Sequence, residues 1–191
     1  MSAPARYDVT AAGHLCLDLI PRFATQRQVT RVEDVLRPGT LVLTGEMTFS
    51  TGGAVSNVGI ALTVFGCRVA FAARVGDDEI GALTHRLLGR HGSVQGIAVA
   101  AGEGSSYTVV LSPPGIDRIF LHHPGTNDTF TARDVADEAL RASRLLHLGY
   151  PTLMRALYAD GGDELAGILA RAKQAGATTS LDISLPDPAS P

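Results

Sequence analysis

Long apolar runs are missing from this chain. No stretch approaches the roughly 20 residues that a membrane-spanning helix needs, so no membrane partner is expected. The start, Met1 to Asp8, has no basic region followed by an uninterrupted apolar stretch. His14 and Asp18 interrupt the apolar run that comes next, which argues against a signal peptide. Cysteine is scarce. Cys16 and Cys67 alone do not make a disulfide framework, and reduced thiols in a cytoplasmic protein are the expectation. There is no basic excess: the formal charge is −3, which argues against nucleic acid as a partner. Internal repeats and long low-complexity segments are also absent. What remains is a chain of 191 residues, 45% hydrophobic and 18% charged, able to bury a core as one domain or one domain with a small appendage.

The periodicity predicts alternating strands and helices. Tyr7 to Ile20 reads as a strand that ends near Asp18, and Thr40 to Phe49 as a second strand. Val58, Ala61, Leu62 and Phe65 recur at helical spacing within Val55 to Phe65, and Gly66 stands at the expected stop. Arg68 to Val75 is a strand. Asp77 or Asp78 caps a helix that runs through Arg90. The pattern then changes to short strand candidates, Val94 to Ala100, Tyr107 to Leu111 and Arg118 to His122, separated by Gly/Ser and Pro-Pro-Gly turns. These predict an inserted antiparallel sheet. The strand–helix rhythm returns with a capping box at Thr131 and Asp134 opening a helix to Ala142. A strand at Leu145 to Leu148, a helix at Asp163 to Ala175 and a strand at Thr178 to Ile183 follow. Leu185 to Pro191 holds three prolines and reads as irregular.

One corner carries chemistry. Gly52 and Gly53 let the backbone pass close to a ligand, and the helix start after them offers unpaired N–H groups. Asn57 adds an amide that both donates and accepts. Asp18, at a strand end, has a carboxylate able to accept two hydroxyl hydrogen bonds. Such a set suits a small polyhydroxylated molecule. Tight-turn glycines, a solvated helix asparagine and a surface aspartate are the plainer alternatives. Gly76, Asp77, Asp78 and Gly81 read as structural, capping and turning the chain. His122 and His123 are adjacent on a strand and point to opposite faces, so they do not share a metal ion.

The segment Gly52-Gly53-Ala54-Val55-Ser56-Asn57, with Gly66 and the run to Gly76-Asp77-Asp78, resembles the N-terminal signature of the ribokinase-like (PfkB) carbohydrate kinases. Gly13-His14-Leu15-Cys16-Leu17-Asp18 resembles that family's first strand. His122 to Asn127 resembles its lid-closing segment, and Leu145 to Leu148 and Thr179 to Asp182 resemble two core strands. The resemblance implies an α/β fold: a mostly parallel sheet with helices on both faces, plus a small antiparallel β lid with strands at about 40–49 and 94–123. It implies sugar contacts from Asp18, Gly52, Gly53 and Asn57. It places Arg118 at the lid mouth, where a phosphate-bearing substrate needs it, and Asn127 in the closing segment. An exposed strand arginine and a turn asparagine are the alternatives. There are departures. Ala54 stands where ribokinases often carry lysine, Cys16 where many members have asparagine, and Gly149 where ribokinases carry glutamate. Ser184 and Pro186 replace a common Asn and Arg.

The family's reaction is ATP- and Mg²⁺-dependent phosphorylation of a sugar hydroxyl, with the base and anion-binding helix start in a Gly-Ala-Gly-Asp motif. That motif is absent, as is a Walker-type loop. The expectation is therefore the N-terminal, sugar-binding part of a carbohydrate kinase. It would have no nucleotide-binding half, no catalytic residue or metal ligand of its own, and no activity alone. A sugar- or nucleoside-binding module is the competing reading. A nucleotide-dependent oxidoreductase is disfavoured, because no Gly-x-Gly-x-x-Gly follows the first strand. Val109, Leu111, Ile119 and Leu121 suggest an apolar lid face and a homodimer formed through it.

Overall fold

The computed structural model describes residues 6–25 and 27–185. The first five residues of the start and Pro186 to Pro191 of the proline-rich end lie outside the described residues. Five parallel strands form the core sheet in the order β5-β4-β1-β8-β9. They are β1 (Tyr7–Gly13), β4 (Val69–Gly76), β5 (Ser93–Ala100), β8 (Ser143–Gly149) and β9 (Thr178–Asp182). A second, four-stranded sheet has the order β3-β2-β6-β7. It comprises β2 (Cys16–Phe23), β3 (Thr44–Gly52), β6 (Tyr107–Leu111) and β7 (Ile119–His123). The helices are α1 (Gly53–Val64), α2 (Glu79–Leu88), α3 (Asp137–Arg141), α4 (Arg155–Tyr158) and α5 (Asp163–Gln174).

Side-chain alternation along the central strands builds a core on each face of the parallel sheet. Ala11, Phe71 and Ala73 point to one side, where they meet Val55 of α1 and Leu88 of α2. Their neighbours Ala12 and Ala72 point to the other side, with Leu146 and Leu148, and meet Leu140, Leu157, Ile168 and Ala172 of α3 to α5. Helices therefore cover both faces, as expected. The second sheet keeps one face toward the core and forms the lid.

The structure corrects several expectations. The first strand is two strands. β1 ends at Gly13, where φ is +110°, and β2 begins at Cys16 in the other sheet. Asp18 thus sits inside a lid strand rather than at a strand end. Val94 to Ala100 belongs to the core sheet, not the lid, because α2 carries the chain from β4 to a parallel neighbour. The lid is mixed, since β2 pairs parallel with β6 and antiparallel with β3. The capping box at Thr131 and Asp134 closes only a single 3-10 turn, Ala132–Asp134, and α3 starts separately. Of the two candidate caps, Asp78 is the one that caps α2. Its carboxylate accepts from Gly81 N at 2.8 Å and also from Ser105 N at 2.8 Å, tying α2 to the chain entering β6. Asp77 accepts from Gly102 N instead.

Phe71 is wholly buried, and its ring occupies the space left by two glycines. A Cβ at Gly59 would stand 2.3 Å from the ring, and one at Gly92 2.6 Å. α1 therefore docks through Gly59 directly onto this ring. Phe71→Ala is expected to lower folding stability by about 3–5 kcal/mol. Urea unfolding followed by circular dichroism measures it, and a loss under about 1 kcal/mol would show that the α1 contact contributes little.

Candidate functional site

A cleft of about 1290 Å³ opens between the lid and the C-terminal ends of the core strands. Three strands place polar groups on its lid side in one row. The register pairs Asp18 of β2 with Thr108 of β6, and Thr108 with His122 of β7. Cys16 lies two residues before Asp18 and so shares its face. All four line the cleft. His14, on the crossing from β1 to β2, stands behind His122, with ring nitrogens Nε2 3.3 Å apart. From the core side come Gly53 and Asn57 of α1, and Tyr150 just beyond β8.

The glycine pair has a local reason. A Cβ on Gly52 would meet the Asp18 carboxylate at 2.4 Å. Gly53 has φ +84°, and a Cβ there would meet the His14 carbonyl at 2.4 Å and its Nδ1 at 2.5 Å. The two glycines make room for the protein's own site residues; only Gly53 also lines the cleft. Asn57 is exposed to the cleft, and its amide makes no hydrogen bond among the described residues. Arg118 is exposed at the mouth, with its guanidinium 5.3 Å from the centre of the Phe120 ring and no ion pair among the described residues.

Asn127 has another place. It is fully buried and absent from the cleft lining. Its Oδ1 accepts from Leu15 N at 3.2 Å, and its Nδ2 donates to Leu15 O at 3.1 Å. It therefore holds the crossing between the sheets and does not face a ligand.

The sequence reading passed over His14, Thr108 and Tyr150. Tyr150 has φ +60° and ψ 47°, a left-handed conformation that costs a non-glycine residue about 1 kcal/mol or more. Its N–H donates to the Asp182 carbonyl at 3.0 Å, and its ring lies 5.8 Å from that of His14. Nothing in the sequence signals this, since a residue before proline ordinarily favours extended backbone. A second cavity, of about 470 Å³, lies among residues 23–43 at the far end of the lid and shares none of these groups.

The sequence model of the pfkB family of carbohydrate kinases matches residues 16–191. The chain belongs to this family. Fructokinase-2 of Solanum habrochaites is 27% identical over 184 residues, which cover 93% of this chain and 50% of that protein. A probable fructokinase-3 of Arabidopsis thaliana is 26% identical over 183 residues, covering 94% and 48%. The pfkB chain thus spans about half the length of these relatives. Among solved structures, a PfkB protein from Polaromonas sp. JS666 superposes with a TM-score of 0.72 at 20% identity, over 94% of this chain and 56% of that one. A fructokinase with bound ATP from Xylella fastidiosa superposes with a TM-score of 0.69 at 18% identity, over 94% and 53%. These likenesses establish the ribokinase-like fold.

Burial sets the protonation of this pfkB cleft. Burial, with the His122 ring beside it, pulls the His14 pKa down to about 3. His122 keeps an exposed edge, yet partial burial of its ring, and then His123, lower its pKa too. Burial, with Asp18 adding to it, pushes the Cys16 thiol up to about 12. Burial also raises the Asp18 pKa, against the opposing hydrogen bond from Cys16. Burial thus favours the neutral form of each titratable group in the row, Asp18 included.

A histidine whose pKa is depressed by folding contributes stability that is full above its unfolded value of 6.5 and is lost as pH falls toward about 3. His14 alone gives a slope of up to ~1.4 kcal/mol per pH unit. His122 and His147 act in the same direction. Asp18, whose pKa is raised, acts in the opposite direction. Urea midpoints between pH 7 and 5 are expected to fall with acid, and His14→Gln to flatten that fall. A pH-independent midpoint in the native chain would show that His14 is not buried neutral.

Proposed function

We propose that these residues form the sugar-binding side of an ATP-dependent carbohydrate kinase, and that the sugar lies between Asp18 of the lid and Asn57 of α1. The observation that carries this reading is that both groups, from different elements, line one cleft while the Asn57 amide has no hydrogen-bond partner among the described residues. A half-buried carboxylate accepts hydroxyl hydrogen bonds, and a free amide both donates and accepts. Tyr150 and Phe120 add ring surface against the apolar face of a sugar. The relatives are fructokinases, which makes fructose the first sugar to test. Arg118 at the mouth suits a substrate that also carries an anionic group. Gly52 contributes indirectly, by clearing space for Asp18.

ATP supplies the phosphoryl group in such a reaction, with Mg²⁺ as its counter-ion. The described residues offer no glycine-rich loop to cradle a triphosphate, and no group of three metal-ligating side chains is found among them. In this reading these residues bind and orient the sugar. In this reading the base, ATP and Mg²⁺ belong to sequence beyond these 191 residues, as the length of the relatives suggests. A cytoplasmic setting fits ATP use and the two free cysteines.

Titration calorimetry with fructose tests the site. Asp18→Ala is expected to weaken binding about 10- to 100-fold, and Asn57→Ala less, because hydrogen bonds to a charged group are worth about 1.5–3 kcal/mol. The 191 residues alone are expected to bind without turning over ATP. Unchanged affinity in both variants would remove the sugar from this cleft, and sugar-dependent ATP turnover by these residues would overturn the division of roles.

The lid also suggests a homodimer. Register places Phe49, Leu19, Val109 and Leu121 in one cross-strand row on the face turned away from Asp18. Phe49 and Leu121 are about half exposed, at 49% and 54%. Phe120 instead turns into the cleft, which accounts for the uneven apolar pattern at 119–121. Such a face on a sheet with open edges favours pairing with a second copy. Light scattering over a range of concentrations is expected to show a dimer that Leu121→Lys dissociates. A native chain that stays monomeric at high concentration would rule this out.

A further inference from the structure

The five polar groups of this wall are linked in sequence, and with the Asp18 carboxylate ionised the links run in one direction. The Cys16 thiol donates to Asp18 Oδ1, with sulfur and oxygen 3.4 Å apart. The Thr108 hydroxyl donates to Cys16 Sγ at 3.6 Å, a hydrogen-bond distance for the larger sulfur atom. That uses the one proton Thr108 has. Its 2.9 Å contact with His122 Nδ1 then requires His122 to be the donor. A neutral imidazole carries one N–H, so His122 Nε2 holds a lone pair. The 3.3 Å contact between the two Nε2 atoms then requires His14 Nε2 to donate. This leaves His14 Nδ1 as the unprotonated nitrogen. It is the one nitrogen of the pair without a hydrogen-bond partner, although it is buried.

The surroundings of that atom fit. A Cβ on Gly53 would lie 2.5 Å from His14 Nδ1, so this nitrogen sits against the first residue of α1. A helix start carries partial positive charge and surplus N–H groups. A lone pair beside that partial charge is favoured over a second N–H. The helix start thus favours this tautomer at one end of the chain, and the Asp18 carboxylate accepts at the other.

We propose that His14, His122, Thr108 and Cys16 form a one-way hydrogen-bond chain whose last proton, on the Cys16 thiol, occupies Asp18 Oδ1 and leaves Oδ2 as the oxygen presented to the ligand. The cross-strand row explains why the chain can be rigid. Asp18, Thr108 and His122 are register partners on three adjacent strands, so their spacing is set by the sheet. Cys16 and His14 are positioning residues here. Cys16 is only 4% exposed and His14 3%, and both act through Asp18. Cys16, at the position where the resemblance leads one to expect asparagine, still supplies a donor. It is the donor that orients the carboxylate. The role toward a substrate rests on the sugar-site reading above, whereas the proton order does not.

Nitrogen-15 NMR of the imidazoles in the native chain at pH 7 tests the order directly. The expected result is His14 protonated at Nε2 and His122 protonated at Nδ1, each as a single tautomer. Either histidine in the opposite tautomer, or charged, overturns the chain. The role toward a ligand is read by fructose calorimetry on Cys16→Ala and Cys16→Ser, with circular dichroism confirming the fold of each. Cys16→Ala is expected to lose about tenfold in affinity, the worth of one hydrogen bond to a charged group. Cys16→Ser keeps a donor and is expected to stay within about threefold of the native chain. Equal affinities for the two variants overturn the positioning role. If the native chain binds no fructose, the sugar reading fails, and the tautomers still decide the proton order.

Discussion

An asparagine 112 positions away holds the point where the chain leaves one sheet for the other. β1 belongs to the parallel core and β2 to the lid, and only His14 and Leu15 separate them. A backbone crossing so short cannot satisfy its own polar groups inside a buried region. The Asn127 amide does so for Leu15, accepting from its N–H and donating to its carbonyl, as a strand partner would. Everything that defines the cleft depends on this crossing. It places His14 behind the lid, starts β2 with Cys16 facing inward, and so sets Asp18 two residues later on the same face.

The second constraint is electrostatic. The buried row in the cleft wall carries little charge, because burial favours neutral His14 and His122 and a protonated Cys16 thiol, while Arg118, Asp128 and Arg155 bring charge to the rest of the lining. Neutral groups in a poorly solvated wall can be ordered by hydrogen bonds without the cost of burying charge. Asp18 is the acidic member of that row. The same wall is braced from outside. Arg74 of β4 bonds Glu103 at 2.6 Å and Asp134 at 2.9 Å, joining the core sheet to the segment before β6 and to the turn after the lid. Thr126 donates its hydroxyl to the Arg74 carbonyl from the same junction.

Much of the architecture was legible from residue order. The helix after Gly52-Gly53, the strand to Gly76, the cap near Asp78 and the helix from Asp163 follow from periodicity and punctuation, which are local. The assignment of strands to sheets was not local. Val94 to Ala100 has the short, Gly-bounded look of a lid strand, yet it pairs with β4 because a helix crossover brings it there. The split of the first strand is hidden in the sequence because apolar residues resume at Leu15, Cys16 and Leu17 directly after Gly13 and His14.

The site divides the same way. Glycine pairs, an aspartate and a helix-start asparagine are chemical types that a sequence displays, so Asp18, Gly53 and Asn57 were named in advance and line one cleft. Asn127 is placed with the lid by its position in the sequence, and its amide turns to Leu15 at the crossing rather than to the cleft, a direction no sequence displays. His122 stood out only as half of a histidine pair. Its partner is His14, 108 positions away, and the two meet because the lid folds over the crossing. Local pattern thus determined the elements and the chemical types available, since backbone preference and side-chain identity act within a few residues. Tertiary structure decided which sheet each strand joined and which polar groups met, since those depend on register and on contacts between residues far apart in the chain.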